Sequence, residues 1–347
     1  MTKKNILFLL FIAYCLKVFS QAGTGVYQFL DLPVSSRLAA LGSKNISLND
    51  NDINFAFQNP ALLTAGTNNV IGINIANYLA DIQFGSAVYG HTFGQNNYFA
   101  LGIQYVDYGS FMGYNELNDS TGAFAAKDYA ISLVYARPLT KNITLGATLK
   151  PIYSAYERYT SFGMAMDFGA NYNNPQKLFS AGLVFRNIGT QFKGYYSEEG
   201  NQHLEPLPFD IQLGLSKKFL HAPLRFSLTL DNLQHWDLSY NSTNQPVTDL
   251  TSTTITTTKI SFVDMAFRHA IIAVEFVPSN NFYLTAAFNH RHQVEMSTPG
   301  FKSTAGFSFG GGIKIYKFHV GFGMTQFQVG NYSYQFSFST ALNEFRL

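Results

Sequence analysis

The sequence has little charge, a single cysteine and no long apolar run beyond its N-terminus. Charged residues make up 13% of the 347 residues, against about 25% in ordinary soluble domains. The 23 basic and 21 acidic residues nearly balance, so no electrostatic attraction to nucleic acid is indicated. No later segment approaches the roughly 18 consecutive apolar residues that a membrane helix needs. These absences exclude a nucleic-acid-binding domain, a disulfide-stapled domain and a helical membrane protein.

Aromatic residues, by contrast, are abundant. The chain has 33 Phe and 21 Tyr but only one Trp, and its mean hydropathy is close to zero. A soluble β-sandwich would fit a strand-rich chain but not this shortage of charge. Few charges, many aromatics and no spanning helix together predict a membrane β-barrel.

The N-terminus has the pattern of a secretory signal peptide. Lys3 and Lys4 precede the apolar run Ile6–Ala13, and the small residue Ser20 follows it. This run is too short to span a membrane, so we expect Sec export and cleavage after Ser20. A tyrosine precedes Cys15, which argues against a lipid-attachment signal. We therefore expect an integral protein of the bacterial outer membrane with a periplasmic N-terminus.

From about residue 69 onward, apolar and polar side chains alternate. In the last segment, Tyr332, Tyr334, Phe336 and Phe338 share one parity, and serine or glutamine lies between them. Such a period of two indicates strands with two different faces, and in a membrane barrel the apolar parity meets lipid. About fourteen strands are predicted, starting near residues 69, 82, 97, 127, 143, 161, 178, 209, 224, 267, 281, 304, 317 and 331.

The lengths of the connections give independent support. Bacterial outer-membrane barrels have short periplasmic turns and longer external loops. The turns after even-numbered strands are short, whereas most long connections follow odd-numbered strands, at 110–126, 189–208, 236–266 and 291–303. The sequence therefore predicts an all-β, transmembrane antiparallel barrel over 69–347, after a signal peptide (1–20) and a separate segment (21–68).

The segment 21–68 differs from the strands that follow it. Ser35–Leu41 is predicted to form a helical turn that ends at Gly42. A mixed segment of this length, tethered to one end of a barrel, is expected to fold into the lumen as a hatch. Arg37 would then be a charge inside the lumen that needs a carboxylate partner, and Asp50 and Asp52 are the candidates.

This segment also carries a family resemblance. The runs Gly23–Pro33, Ser35–Gly42 and Asn59–Leu63 resemble the N-terminal motif of the PorV/PorQ group, outer-membrane proteins of the type IX secretion system, and the first run favours the PorQ-like members. Ser43 departs slightly, since a second small residue such as Gly is expected there. The resemblance implies a fourteen-stranded FadL-like barrel with a hatch. The candidate hatch positions are Gly25, Arg37, Gly42, Asp50, Asp52, Asn59 and Pro60.

The resemblance also implies a function. PorQ-like proteins anchor a PorZ-like surface protein beside a PorV-like barrel and a PorU-like sortase, which attaches cargo to lipopolysaccharide. The candidate partner-binding residues lie in the predicted loop 189–208, where aromatic and acidic residues suit an interface: Tyr195, Tyr196, Glu198 and Glu199. Two alternatives stay open, a FadL-type channel for hydrophobic solutes, with an apolar pocket and a lateral opening, and a PorV-like shuttle that binds cargo C-terminal signals.

Other clusters are weak signals of chemistry. Asp50 and Asp52 lack the glycine and distal glutamate of a calcium loop. His290 and His292 are expected to be neighbours on one face of a strand end, in a polar rim, because two imidazoles alone are a poor metal signal. Gly310–Gly312 is expected to allow close strand packing. No motif selects a catalytic serine, histidine and aspartate, so no enzymatic activity, cofactor or metal is expected.

Overall fold

The computed structural model describes residues 25–78, 82–198, 201–239, 260–296, 304–328 and 331–345. Within these residues, fourteen antiparallel strands form one closed barrel around the N-terminal segment. The strands are β1 Val70–Asn77, β2 Gln83–Phe93, β3 Asn97–Tyr114, β4 Ser120–Pro138, β5 Ile143–Tyr156, β6 Tyr159–Asn174, β7 Phe179–Lys193, β8 Asp210–Lys218, β9 Leu224–Leu230, β10 Ala270–Ser279, β11 Phe282–Asn289, β12 Phe307–Ile315, β13 Phe318–Gln328 and β14 Asn331–Ala341.

The barrel closes where its first and last strands pair. Val70 lies opposite Ala341 and Asn77 lies opposite Tyr334, with an unbroken register between them. Every strand of the described barrel therefore pairs with a neighbour on each side, which confirms the predicted fold class. Thirteen strands begin within three residues of their predicted starts; β4 begins at Ser120 rather than near 127.

The two faces of the wall differ as the alternation predicts. On β1 the outward side chains of Ile73 and Ile75 are exposed, whereas the inward Asn74 is buried. The same parity puts Phe336 and Phe338 of β14 on the outer face. A belt of exposed Phe, Leu and Ile on the outside of a closed barrel is the kind of surface that meets lipid. Among the described residues, no helix combines the length and apolar character that a membrane crossing needs.

Residues 25–69 fill the lumen and are called the hatch below. Helix α1, Ser36–Ala40, is capped by the Ser35 hydroxyl, which accepts from the Leu38 amide, and it ends before Gly42 at φ +84°. Single 3₁₀ turns make up much of the rest: Gln28–Asp31, Ile53–Phe57, Pro60–Leu62 and Ala65–Thr67. Leu38, Phe55 and Leu63 pack against inward residues of the wall such as Val88 and Val134. The hatch therefore supplies the core that a barrel of this size would otherwise lack.

The hatch runs from one mouth of the barrel to the other. The Val26 amide donates to the Pro206 carbonyl (3.0 Å), in the long connection between β7 and β8. β1 begins at the opposite end, where the short turns lie. We expected the N-terminus at the short-turn mouth, but Gly25 lies at the long-connection mouth. The reason is burial, since Val26 and Leu30 pack among wall residues at that end.

The short turns lie where they were predicted, but the longer connections contain more structure than expected. Most of 110–126 belongs to an extended β3–β4 hairpin. The β7–β8 connection includes two short strands, Ser197–Glu198 and Asn201–Gln202. Helix α2, Phe262–Arg268, lies between β9 and β10, and α3, His290–Glu295, lies between β11 and β12. The predicted connection 236–266 contains a Ser/Thr-rich tract, Asn241–Thr258, which falls outside the described residues.

Candidate functional site

A buried ion network ties the hatch to one side of the wall. Arg37 on α1 lies 3.1 Å from Glu275 on β10 and also pairs with Asp50, the carboxylate proposed from the sequence. Arg225 on β9 completes the network at 2.6 Å from Glu275 and 3.1 Å from Asp50. Asp52 stands further off, 3.6 Å from Arg37. Two guanidinium groups thus share two carboxylates, so each charge of this largely buried network has an opposite partner.

The charges of this network are fixed by their surroundings. Burial favours the neutral form of Asp50, but the nearby Arg37 and Arg225 outweigh it and hold the pKa of this carboxyl well below its usual range. The guanidinium of Arg37 also lies over the Tyr283 ring, 4.4 Å from its centroid, a favourable cation–π geometry. Arg37 and Asp50 therefore remain charged at neutral pH, and the hatch is held electrostatically.

A second attachment lies elsewhere on the lumen wall. The Lys44 ammonium is 2.8 Å from both Asp210 on β8 and Asp231, just after β9. Burial opposes its charge, but the two carboxylates outweigh that effect and raise the pKa of Lys44 well above its usual value. Arg186 on β7 donates to the Leu30 carbonyl at 3.0 Å and to Gln58. Charged groups thus hold the hatch at three places around the lumen.

The Asn59–Pro60 turn fits against glycines of the wall. Asn59 donates to the Ile46 carbonyl (2.8 Å) and accepts from the Ala61 amide (2.9 Å). A Cβ on Gly169 would lie 2.1 Å from the Asn59 side-chain oxygen, and one on Gly146 would lie 2.6 Å from Pro60. The wall can approach the hatch this closely only because those positions have no side chain.

The two other glycines of the candidate motif have similar roles. A Cβ on Gly25 would meet the Pro206 carbonyl oxygen at 2.3 Å, and one on Gly42 would meet Ile271 at 2.6 Å. Both glycines also have positive φ, +136° and +84°, which L side chains rarely adopt. All seven candidate hatch residues therefore lie in the ion network or where the hatch contacts the wall or the β7–β8 connection.

The candidate partner-binding residues lie at the long-connection mouth but do not act as one set. The Tyr195 ring stacks on Tyr156 of β5 (5.0 Å between centroids). Tyr196 points outward and is 55% exposed. Glu198 lies in a short strand, and Glu199 falls outside the described residues. Of these four candidates, only Tyr196 is therefore a described and accessible aromatic side chain.

The wall residues of these attachments, Glu275, Arg225 and Asp210, were not singled out from the sequence, although a charged residue at a lumen-facing position of a barrel strand indicates a functional or structural contact. Lys44 of the hatch was not singled out either. The two histidines were also placed wrongly: His290 begins helix α3 rather than continuing a strand, and it contacts Asp264 at 2.8 Å.

Two depressions accompany the hatch. A polar cavity of about 590 Å³ opens at the short-turn mouth, lined by Arg37, Asp50, Arg225, Lys218, Lys317 and His319 among others. An apolar groove of about 580 Å³ lies on the outer wall, lined by β4–β7 residues that include Phe168, Leu183 and Phe185 around Gly146 and Gly169. The first depression faces water and the second faces the lipid belt.

The fold is similar to that of solved outer-membrane channels. A TodX monoaromatic hydrocarbon channel with the deltaS2S3 mutation is 11% identical, covers 88% of this chain and 98% of its own, and gives a TM-score of 0.52. The TodX deltaS2 mutant is 12% identical to this chain, and the alignment covers 90% of this chain and 98% of the mutant with a TM-score of 0.52. A Pseudomonas aeruginosa FadL homologue is 11% identical to this chain, and the alignment covers 92% of this chain and 100% of the homologue with a TM-score of 0.50. At these identities the likeness shows a FadL-like fold.

Neither a protein-family model nor a curated protein matches this sequence. The type IX secretion resemblance therefore rests on the sequence motif alone.

Proposed function

We propose that this chain is a FadL-like protein of the outer membrane that passes small hydrophobic solutes while its hatch excludes water and ions. The observation that supports this is a fourteen-stranded barrel filled by an N-terminal hatch, the fold also found in monoaromatic hydrocarbon channels. A fixed plug of this kind suits solutes that partition into lipid better than solutes that need a water-filled pore.

The apolar groove supports a lateral route. Gly146 and Gly169 form its floor, and directly behind them lies the Asn59–Pro60 turn. Only the backbone of the wall separates the hatch from lipid here. The β5–β6 ladder is continuous at this point, so a solute would pass only after this turn and the adjacent wall move.

Uptake by cells tests this function, because a lipopolysaccharide-containing outer membrane resists toluene whereas a phospholipid vesicle does not. Cells that make the wild-type protein should take up toluene faster than cells without it, and glucose uptake should not change. A disulfide between Ser47→Cys and Ser216→Cys should reduce toluene uptake to the rate of cells without the protein, because their hydroxyls lie 2.7 Å apart and join hatch to wall. The control pair Ser180→Cys and Ser216→Cys joins two neighbouring strands and should leave uptake intact. Toluene uptake no faster than that of cells without the protein would refute the channel.

A second candidate function is a non-catalytic anchor of the type IX secretion system. It is supported by the N-terminal motif and by the hatch itself, which buried ion pairs hold in place. The external connections would then bind a PorZ-like surface protein near PorV-like and PorU-like partners and lipopolysaccharide. A PorV-like shuttle would instead bind cargo C-terminal signals.

Affinity purification from native outer membranes separates these possibilities. An anchor should co-purify with a resident surface protein in about equal amounts, and a shuttle should co-purify with cargo domains. A protein that purifies alone and takes up toluene would be a channel. Enzymatic activity in the purified protein would contradict all three proposals.

A further inference from the structure

The wall of the barrel is much lower on one side than on the other. β3 and β4 have 18 and 19 residues, whereas β9 has 7 and β11 has 8. A seven-residue strand that rises ~3.3 Å per residue and tilts by ~40° crosses only about 18 Å of a band that is ~25 Å thick. The lipid belt is therefore incomplete above β9 unless another element extends it.

Helix α2 lies in the connection that leaves β9, and its apolar face points outward. Phe262 is 73% exposed, Val263 62% and Phe267 48%. On the opposite side, Met265 and Arg268 are buried, and Arg268 pairs with Asp264 at 2.9 Å. At about 100° per residue, the outward apolar residues form one continuous stripe. A surface helix in water normally exposes its polar side chains and buries its apolar ones, whereas α2 exposes its apolar side chains.

The apolar stripe of α2 joins the lipid-facing belt. Phe267 contacts the His290 ring (6.0 Å between centroids), and His290 contacts Phe288 (6.2 Å). Phe288 has the outward parity of β11 and lies 4.8 Å from Phe307 on β12. The rings thus form an unbroken path from the helix to the belt.

The single tryptophan of the chain belongs to the same surface. Trp236 is 51% exposed and stacks on Phe262 at 5.1 Å and on His269 at 5.2 Å. Tryptophan is enriched where the hydrocarbon of a membrane meets its headgroups. A half-exposed indole beside an outward apolar helix fits that position.

We propose that Trp236 and helix α2 are a membrane-contact surface that completes the lipid belt above the short strand β9. The ligand is the lipid of the leaflet at the long-connection mouth, and a protein partner is the competing occupant. The helix lies along the membrane surface and buries Phe262, Val263 and Phe267 at the acyl boundary. The helix thereby contacts the part of the hydrocarbon layer that the short strand β9 does not span.

The wild-type protein carries its own probe for this proposal, because Trp236 is its only tryptophan. The protein is reconstituted in vesicles of phosphatidylcholine brominated on the acyl chains close to the headgroup. Compared with unbrominated vesicles, emission should fall by about twofold or more, since interfacial helices lie roughly 5–10 Å into the headgroup boundary. Aqueous iodide should have little effect on the same emission.

A matched variant shows how a tryptophan at a water-facing position responds to the two quenchers. Trp236→Phe combined with Tyr196→Trp moves the probe to the exposed tyrosine of the β7–β8 connection. Its emission should respond to iodide and not to brominated lipid. If brominated lipid fails to quench Trp236 in the folded wild-type protein, the membrane-contact proposal is overturned, whether iodide quenches it or not.

Discussion

Glu275 joins the hatch to two strands through one carboxylate. Its oxygens accept from Arg37 (3.2 and 3.1 Å) and from Arg225 (2.7 Å), and its side chain is buried. Removing one partner of such a network leaves the remaining charges without compensation. The hatch is therefore most sensitive at this residue.

Glu275→Gln should destabilise the folded barrel by about 3–5 kcal/mol, because two buried guanidinium groups lose a shared negative charge. Urea unfolding in lipid vesicles measures this change. The control Glu344→Gln breaks the exposed pair with Lys314 (2.9 Å) and should cost about 0–1 kcal/mol. Equal effects of the two substitutions would contradict a structural role for the buried network.

Gly169 tests the close contact between hatch and wall. The new Cβ of Gly169→Ala would meet the Asn59 side-chain oxygen, which accepts from Ala61. Overpacking of this kind costs roughly 1–3 kcal/mol, and limited proteolysis of the hatch should become faster. Ala147→Val adds volume on the outer face of β5 and should leave the hatch protected. Unchanged protection in Gly169→Ala would show that the hatch is not held at this turn.

At the scale of whole elements, the strands could be predicted from sequence because each has one lipid-facing and one lumen-facing parity. The exception, β4, shows the limit of that signal. Apart from Phe124, its first residues, Ser120–Ala126, are small or polar on both faces, so they give little contrast between the two faces. Helices α2 and α3 were missed because each has fewer than eight residues, too short for a periodic pattern.

The hatch could be predicted only in part. Arg37 and Asp50 are close in the chain, so their pairing could be proposed from the motif. Glu275 is 238 residues from Arg37, and no local pattern links the two. The direction of the hatch was also beyond the sequence, since it depends on Val26 meeting Pro206 across the fold.

The β7–β8 connection is the element on which the proposed anchor function would depend. Replacing residues 194–204 with a short Gly/Ser turn should abolish co-purification of a surface partner, because Tyr196 and its hairpin are removed. The barrel should stay folded, since Pro206 and its contact with Val26 are kept. Heat-modifiable migration on a gel checks the fold, and the same replacement at 115–119 serves as the control. Undiminished partner recovery would exclude this loop as the docking element.

At the scale of the whole molecule, the barrel combines a lipid-facing exterior with a charged interior that its own N-terminal segment occupies. The exterior determines where the protein can reside, because its exposed aromatic and aliphatic belt needs lipid. In the proposed channel the interior would determine what can pass, because the hatch is held by Arg37, Lys44 and Arg186 at separate places. Both proposed functions require this closed state.

Electrical recording across a planar bilayer tests that closed state most directly. The intact protein is expected to carry no steady ion current, whereas Arg37→Ala combined with Lys44→Ala should give intermittent open-pore currents. Both substitutions lie in the hatch, so the sequence of the wall is unchanged, and heat-modifiable migration on a gel checks that the barrel stays folded. A steady current through the intact, folded protein would contradict the account, because it would mean that the hatch does not seal the barrel.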